Sequence, residues 1–105
     1  MNRQSNNHSE ILDELFEAIL SLKDLDECYD FFEDLFTMQE LTTFAQRLQV
    51  AKLLYEEHTY EMVRKQFPVS NATITRVSTA LHYGKGGYRR VLDKISQDAQ
   101  PAASV

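Results

Sequence analysis

The residues best able to do chemistry together are Asn71, Thr73, Thr75 and Arg76, within the run NATITR. An asparagine carboxamide places an acceptor beside a donor, which matches the major-groove edge of adenine. A threonine hydroxyl donates or accepts, and its methyl packs on a thymine methyl. An arginine adds a planar cationic fork suited to phosphate or to a base edge. Ala72, between them, lets a backbone come close. In this pattern these residue types suit recognition of a surface of hydrogen-bonding edges.

Such residues need a helix to present them, and the run HTYEMVRKQFPVSNATITRVSTALHYG supplies one. Thr59 caps a helix over 59–67, with Met62, Val63 and Phe67 inward and Tyr60, Glu61, Arg64 and Lys65 outward. Pro68 lacks an amide hydrogen and holds Phe67 extended, so that helix stops. Ser70 caps a second helix over 71–83. At 100° per residue Ile74, Val77, Ser78 and Leu81 fall on one side, to pack on the preceding helix. Ala72, Arg76, Thr79 and Tyr83 fall opposite, with Thr73 and Thr75 flanking and Asn71 at the exposed first turn. Gly84 is expected to end the helix in a left-handed conformation. The pattern predicts a helix-turn-helix over about 59–84, with the second helix reading a groove. Arg64, Lys65, Arg76, Lys85, Arg89 and Arg90 would meet phosphates, giving affinity and register rather than sequence choice.

The elements upstream read as helices too. Residues 1–8 are polar, and a disordered N-terminus is expected there. Ile11, Leu12, Leu15, Phe16, Ile19 and Leu20 recur at helical spacing over 9–22. Asp24 and Glu27 form a capping box for a second helix, carrying Leu25, Cys28, Tyr29, Phe32, Leu35 and Phe36. Thr37 and Glu40 form another for a long helix over 38–56. There Leu41, Phe44, Ala45, Leu48, Ala51 and Tyr55 make a stripe that Val50, Leu53 and Leu54 widen. A helix apolar on more than one side needs more than one neighbour. A second copy of the chain or a tightly wrapped monomeric bundle would supply them. GKGG at 84–87 reads as a flexible joint, and 88–96 as a sixth helix resting on Val91, Leu92 and Ile95. A disordered tail is expected over 97–105. The expectation is one all-α domain over 9–96.

With 105 residues there is room for one compact domain. The three glycines and two prolines leave long uninterrupted stretches, which favours helices. Net charge is −5, an unfavourable balance for a nucleic-acid binder taken whole. The charge is split, however. Residues 1–58 hold four Lys/Arg against thirteen Asp/Glu, whereas 59–95 hold seven against two. The basic charge thus sits on the candidate reading unit. Cys28 is the one cysteine, so no intrachain disulfide forms and a reducing compartment fits. No apolar run reaches the ~20 residues of a membrane helix, and MNRQSNNHSE lacks signal-peptide character. A cytoplasmic protein is expected. There is no Gly-rich phosphate loop, no metal-ligand cluster, no cofactor motif and no nucleophile–base set. His8, His58 and His82 lie far apart in sequence. These features argue against an enzyme.

The run Ala72-Thr73-Ile74-Thr75-Arg76, followed by Ser78 and Leu81, resembles the recognition helix of the bacterial Trp repressor. Thr37 through Tyr55, with Arg47 inside, is similar to that repressor's long central helix. The likeness spans about 35–83 with a one-residue gap near Glu57, and GKGGYRR resembles the Trp-repressor-related proteins of the YerC/YecD type. The resemblance implies a six-helix all-α fold and an intertwined homodimer, whose two reading helices face successive major grooves of a palindromic double-stranded DNA operator. It implies base-facing positions for Asn71, Ala72 and Thr73, and neighbouring DNA-facing positions for Thr75, Arg64 and Tyr60. Arg47 and Arg76 match the arginines that bracket the repressor's tryptophan, and Thr37 a threonine lining that pocket. Two departures stand out. Val77 replaces a glycine beside the indole, and Ala80 replaces a serine that meets the amino group. Overpacking a filled site costs about 1–3 kcal/mol, so tryptophan is not the expected effector. Arg47 and Arg76 would bind another small ligand, bind phosphate, or pair with carboxylates such as Glu40. The expected function is a DNA-binding transcription regulator, by resemblance a repressor. The alternative is a helix-turn-helix-derived protein-interaction module without DNA binding.

Overall fold

The computed structural model describes residues 8–99, with side chains through residue 97. Six helices follow one another: α1 (Glu10–Leu20), α2 (Leu25–Leu35), α3 (Met38–Tyr55), α4 (Tyr60–Gln66), α5 (Asn71–Tyr83) and α6 (Gly87–Ala99). No strand occurs among the described residues. The chain divides into two compact units between Leu41 and Thr42.

In the amino-terminal unit, short-range polar residues set the helix starts. Ser9 accepts a hydrogen bond from the Leu12 amide at 3.1 Å. The Asp24 carboxylate accepts from the Glu27 amide, and Glu27 accepts from the Lys23 amide, both at 2.9 Å. Thr37 and Glu40 form a fully reciprocal pair, each side chain accepting from the other's amide, at 2.9 and 3.1 Å, opening α3. Each closes orphan amides that a helix start leaves free. On α2, Phe31 packs edge-on to Phe32 at 5.7 Å, so it joins the aromatic cluster although it lies off the narrow stripe. Neither α1 nor α2 contains a buried residue.

The carboxyl-terminal unit holds the core: Val50, Ala51, Val63, Ile74, Val77, Leu81 and Leu92, fringed by Leu48, Leu53, Leu54, Tyr55, Val69 and Tyr88. One seven-residue helix, α4, contributes only Val63 to it. The inward set expected for α4 and α6 is therefore too wide. Met62 is 44% exposed, Val91 46% and Ile95 44%, because the surrounding helices cover only the Val63 and Leu92 edges.

One chain reversal departs from expectation, and another has a left-handed residue that is not glycine. Gly84 is not left-handed (φ −85°, ψ −151°); its amide still bonds the Ala80 carbonyl at 3.0 Å, and Gly86 takes the positive φ of 88° instead. A Cβ at Gly84 would stand 2.4 Å from the Ala80 oxygen, so the glycine answers a close approach rather than a handedness. At the end of α3, Glu57 adopts φ 68°. The Glu57 amide bonds the Leu54 carbonyl and the His58 amide reaches back to Leu53, which is the Schellman arrangement. The His58 ring Nδ1 lies 3.1 Å from that same Leu53 oxygen.

Helix α6 runs through Ala99, past the expected end at residue 96. The rest of the tail expected over 97–105, and nearly all of the expected disordered segment 1–8, lie outside the described residues. Tyr55 of α3 donates to the Asp93 carboxylate of α6, with the Arg89 guanidinium 6.0 Å from the Tyr55 ring centre.

Candidate nucleic-acid interface

Helices α4 and α5 are joined by residues 67–70, and every residue of that turn has a local reason. Phe67 is extended, at φ −132° and ψ 139°, as its position before Pro68 requires. The Val69 amide bonds the Phe67 carbonyl at 2.8 Å across the proline. Ser70 accepts from the Thr73 amide at 3.1 Å and starts α5. Val63, Ile74, Val77 and Leu81 then bury one side of the pair. That burial fixes which side chains face solvent: Tyr60, Glu61, Arg64 and Lys65 on α4, and Asn71, Ala72, Thr75 and Arg76 on α5.

Thr73 differs from its neighbours. It is half-buried, and its hydroxyl accepts a hydrogen bond from the Ser70 hydroxyl at 3.2 Å. Its polar group is thus engaged by the helix cap. Arg64 and Asn71 are brought into contact across the turn: the guanidinium donates to Asn71 Oδ1 at 2.6 Å. Sequence reading gave the two residues separate roles, one on phosphate and one on a base. Their separation of seven positions across a turn carries no signal that they meet.

The other basic residues are partly occupied. The Arg90 guanidinium donates to the Lys85 carbonyl at 3.1 Å and braces the Gly86 turn, while Arg89 lies over Tyr55. Glu61 sets an acidic group on the same outward face of α4 as Arg64 and Lys65.

Arg47 and Arg76 line one concavity of about 510 Å³, walled also by Thr79, Ala80, Tyr83 and Tyr88. Val77 touches its wall but is only 1% exposed, so the side chain belongs to the core. Arg47 Nε is buried and has no hydrogen-bond partner among the described residues, and the guanidinium carbon lies 5.8 Å from the Phe44 ring centre. Thr37 lies in the other unit, where it caps α3. Tyr83, highly exposed on the outer face of α5 that helical periodicity predicts, also walls the concavity, a role its spacing does not signal.

A profile of the Trp repressor protein family matches residues 10–96. This chain belongs to the Trp repressor family. Its sequence is 46% identical over 93 residues to YerC of Bacillus subtilis (strain 168), covering 89% of each chain. A TrpR-like protein from Eubacterium eligens ATCC 27750 superposes with a TM-score of 0.81 at 48% identity, covering 84% of this chain and 91% of that one. A further solved structure, from Staphylococcus aureus, gives 0.81 at 43% identity, covering 85% and 89%. The Trp repressor fold is therefore shared along most of the chain, including the α4–turn–α5 unit. Among the described residues no His, Cys, Asp and Glu group is arranged to hold a metal, and no helix is long and apolar enough to cross a membrane.

Proposed function

We propose that this protein is a sequence-specific regulator of transcription, a repressor, that reads the major groove of double-stranded DNA with α5. The carrying observation is the solvent-facing row Asn71, Ala72, Thr75 and Arg76 at the start of a helix whose opposite side is locked into the core. Asn71, Ala72 and Thr73 face bases in this reading, with Thr75 and Arg76 beside them. Tyr60, Arg64 and Lys65 of α4 approach the backbone. Membership of a repressor family supports the same reading.

The protein acts as a homodimer on a palindromic operator. Ile11, Leu20 and Leu25 are each at least 74% exposed, in helices with no buried residue, and a second copy would cover such faces. Residues 9–96 act as one family domain, in the cytoplasm. Arg47 and Arg76 form a pocket for a small anionic ligand. A ligand other than tryptophan is expected, since by resemblance the family repressor has a serine, a partner for the amino group, where Ala80 lines this concavity.

Selection from a random duplex pool tests the proposal. Two half-sites with centres about 34–36 Å apart are expected, with affinity falling steeply as salt rises. A second reading, a protein-interaction module, draws on the acidic outer face of α1, where Glu10, Asp13, Glu14 and Glu17 cluster. No enrichment at low salt, with a basic protein partner co-purifying, would favour it.

A further inference from the structure

We infer that Arg64 and Asn71 form a single reading unit that selects guanine over adenine. The inference rests on the DNA-reading function proposed above and names its specificity.

An unassisted asparagine on a reading helix suits adenine, because its oxygen accepts from N6 while its nitrogen donates to N7. Here the oxygen is engaged: Asn71 Oδ1 accepts from Arg64 at 2.6 Å. An arginine side chain has only donors. The group it meets must therefore be the carboxamide oxygen, which fixes which way the amide faces. With its oxygen on Arg64, the exposed Asn71 offers its Nδ2 hydrogens as donors beside the remaining hydrogens of the exposed Arg64 guanidinium. Both residues are exposed, and they come from the two helices that frame the turn.

The combined surface is rich in donors, and one lone pair of its carboxamide oxygen is already taken by Arg64. Guanine presents two acceptors, N7 and O6, to the major groove; adenine presents one acceptor and one donor. An adenine N6 hydrogen directed at this pair would have to share the carboxamide oxygen with Arg64 beside the guanidinium hydrogens, or displace Arg64 from Asn71, whereas both guanine groups accept from the donors on offer. Arg64 is thus a positioning residue for Asn71 as well as a positive charge near the backbone. Ser70 and Thr73 reinforce the arrangement by holding the first turn of α5 through the cap and the hydroxyl–hydroxyl bond.

The test compares the full-length protein with Arg64→Ala, Asn71→Ala and Lys65→Ala. Duplex selection first identifies the base pair whose preference disappears in Asn71→Ala. Guanine is expected there, with adenine weakening binding about tenfold. Arg64→Ala frees the carboxamide and shifts preference toward adenine, whereas Lys65→Ala lowers affinity for all sequences alike. In the free protein, the Asn71 side-chain amide resonances should move in Arg64→Ala and stay in Lys65→Ala. The inference is overturned if the wild-type protein selects adenine at that pair, if Arg64→Ala acts like Lys65→Ala, or if the amide resonances ignore Arg64. Duplex binding that persists in those cases leaves the proposed function standing. Absence of duplex binding at low salt removes both.

Discussion

Tyr55 and Asp93 join the long helix α3 to the last helix α6 through a hydrogen bond from the phenol to the carboxylate. That bond, with burial and the Asp93 charge, raises the Tyr55 pKa above its ordinary value, while Arg89 opposes the shift. The carboxylate accepts from the neutral phenol and repels the phenolate.

The consequence is an alkaline limit. Below a pH of about 10, the ordinary tyrosine value, the phenol is protonated in both folded and unfolded chains and its contribution is complete. Above it the unfolded chain loses the proton while the native protein keeps it, so stability falls as pH rises through the raised folded value. The urea midpoint of the wild-type protein should drop over this range. Tyr55→Phe should show a shallower decline, and an equal decline would sink the assignment to Tyr55.

Glu57 should be improvable. A non-glycine residue at φ 68° carries about 1–2 kcal/mol of steric cost that glycine avoids. Allowing for the greater freedom of glycine in the unfolded chain, Glu57→Gly should stabilise by about 0.5–1 kcal/mol. Glu57→Ala removes the same charge but keeps the Cβ, so it should give no such gain. Thermal denaturation of the two variants separates backbone strain from electrostatics.

Gly84 and Gly87 are three positions apart and should respond oppositely. A Cβ at Gly84 meets the Ala80 carbonyl oxygen at 2.4 Å, so Gly84→Ala should cost about 1–3 kcal/mol. Nothing lies within 4 Å of a Cβ at Gly87, the first residue of α6. Gly87→Ala should be neutral or stabilising by up to about 1 kcal/mol. Chemical denaturation of both reads the contrast directly.

Arg47 Nε is buried and unpaired among the described residues, and such a group costs stability rather than adding it. Arg47→Met keeps much of the aliphatic stem and should leave the melting temperature within about 2–4 °C of wild type, the shift expected for a few tenths of a kcal/mol. If the concavity takes a small anion, phosphate or a carboxylate at high concentration should raise the wild-type melting temperature. The variant should lose that response. An identical response in both proteins would remove Arg47 from the proposed pocket.

The local level of this structure was legible in the residues. The Thr37/Glu40 capping box forms the bonds its spacing implies, Asp24 caps the Glu27 amide while the Glu27 side chain reaches one residue further back to the Lys23 amide, and Ser70 starts α5 as its position suggests. Pro68 ends α4 by lacking a donor. Ile74, Val77 and Leu81 bury together because residues three and four apart share a helix face. Each rule acts within one turn of chain, so neighbouring residues suffice to state it.

Tertiary structure decided what lies between the elements. Periodicity grouped Met62 with Val63, and Val91 with Leu92, but only packing revealed that neighbours cover one of each pair. The reversal after α5 uses Gly86 rather than Gly84, and the one after α3 places a glutamate in a left-handed conformation, because packed helices dictate where the chain must turn. The Arg64–Asn71 contact belongs to the same class: it depends on the angle and separation of α4 and α5, which are set by burial of Val63 against Ile74 and its neighbours. Sequence spacing fixes the order of side chains along a helix surface; the crossing of two such surfaces is fixed by the volumes packed between them.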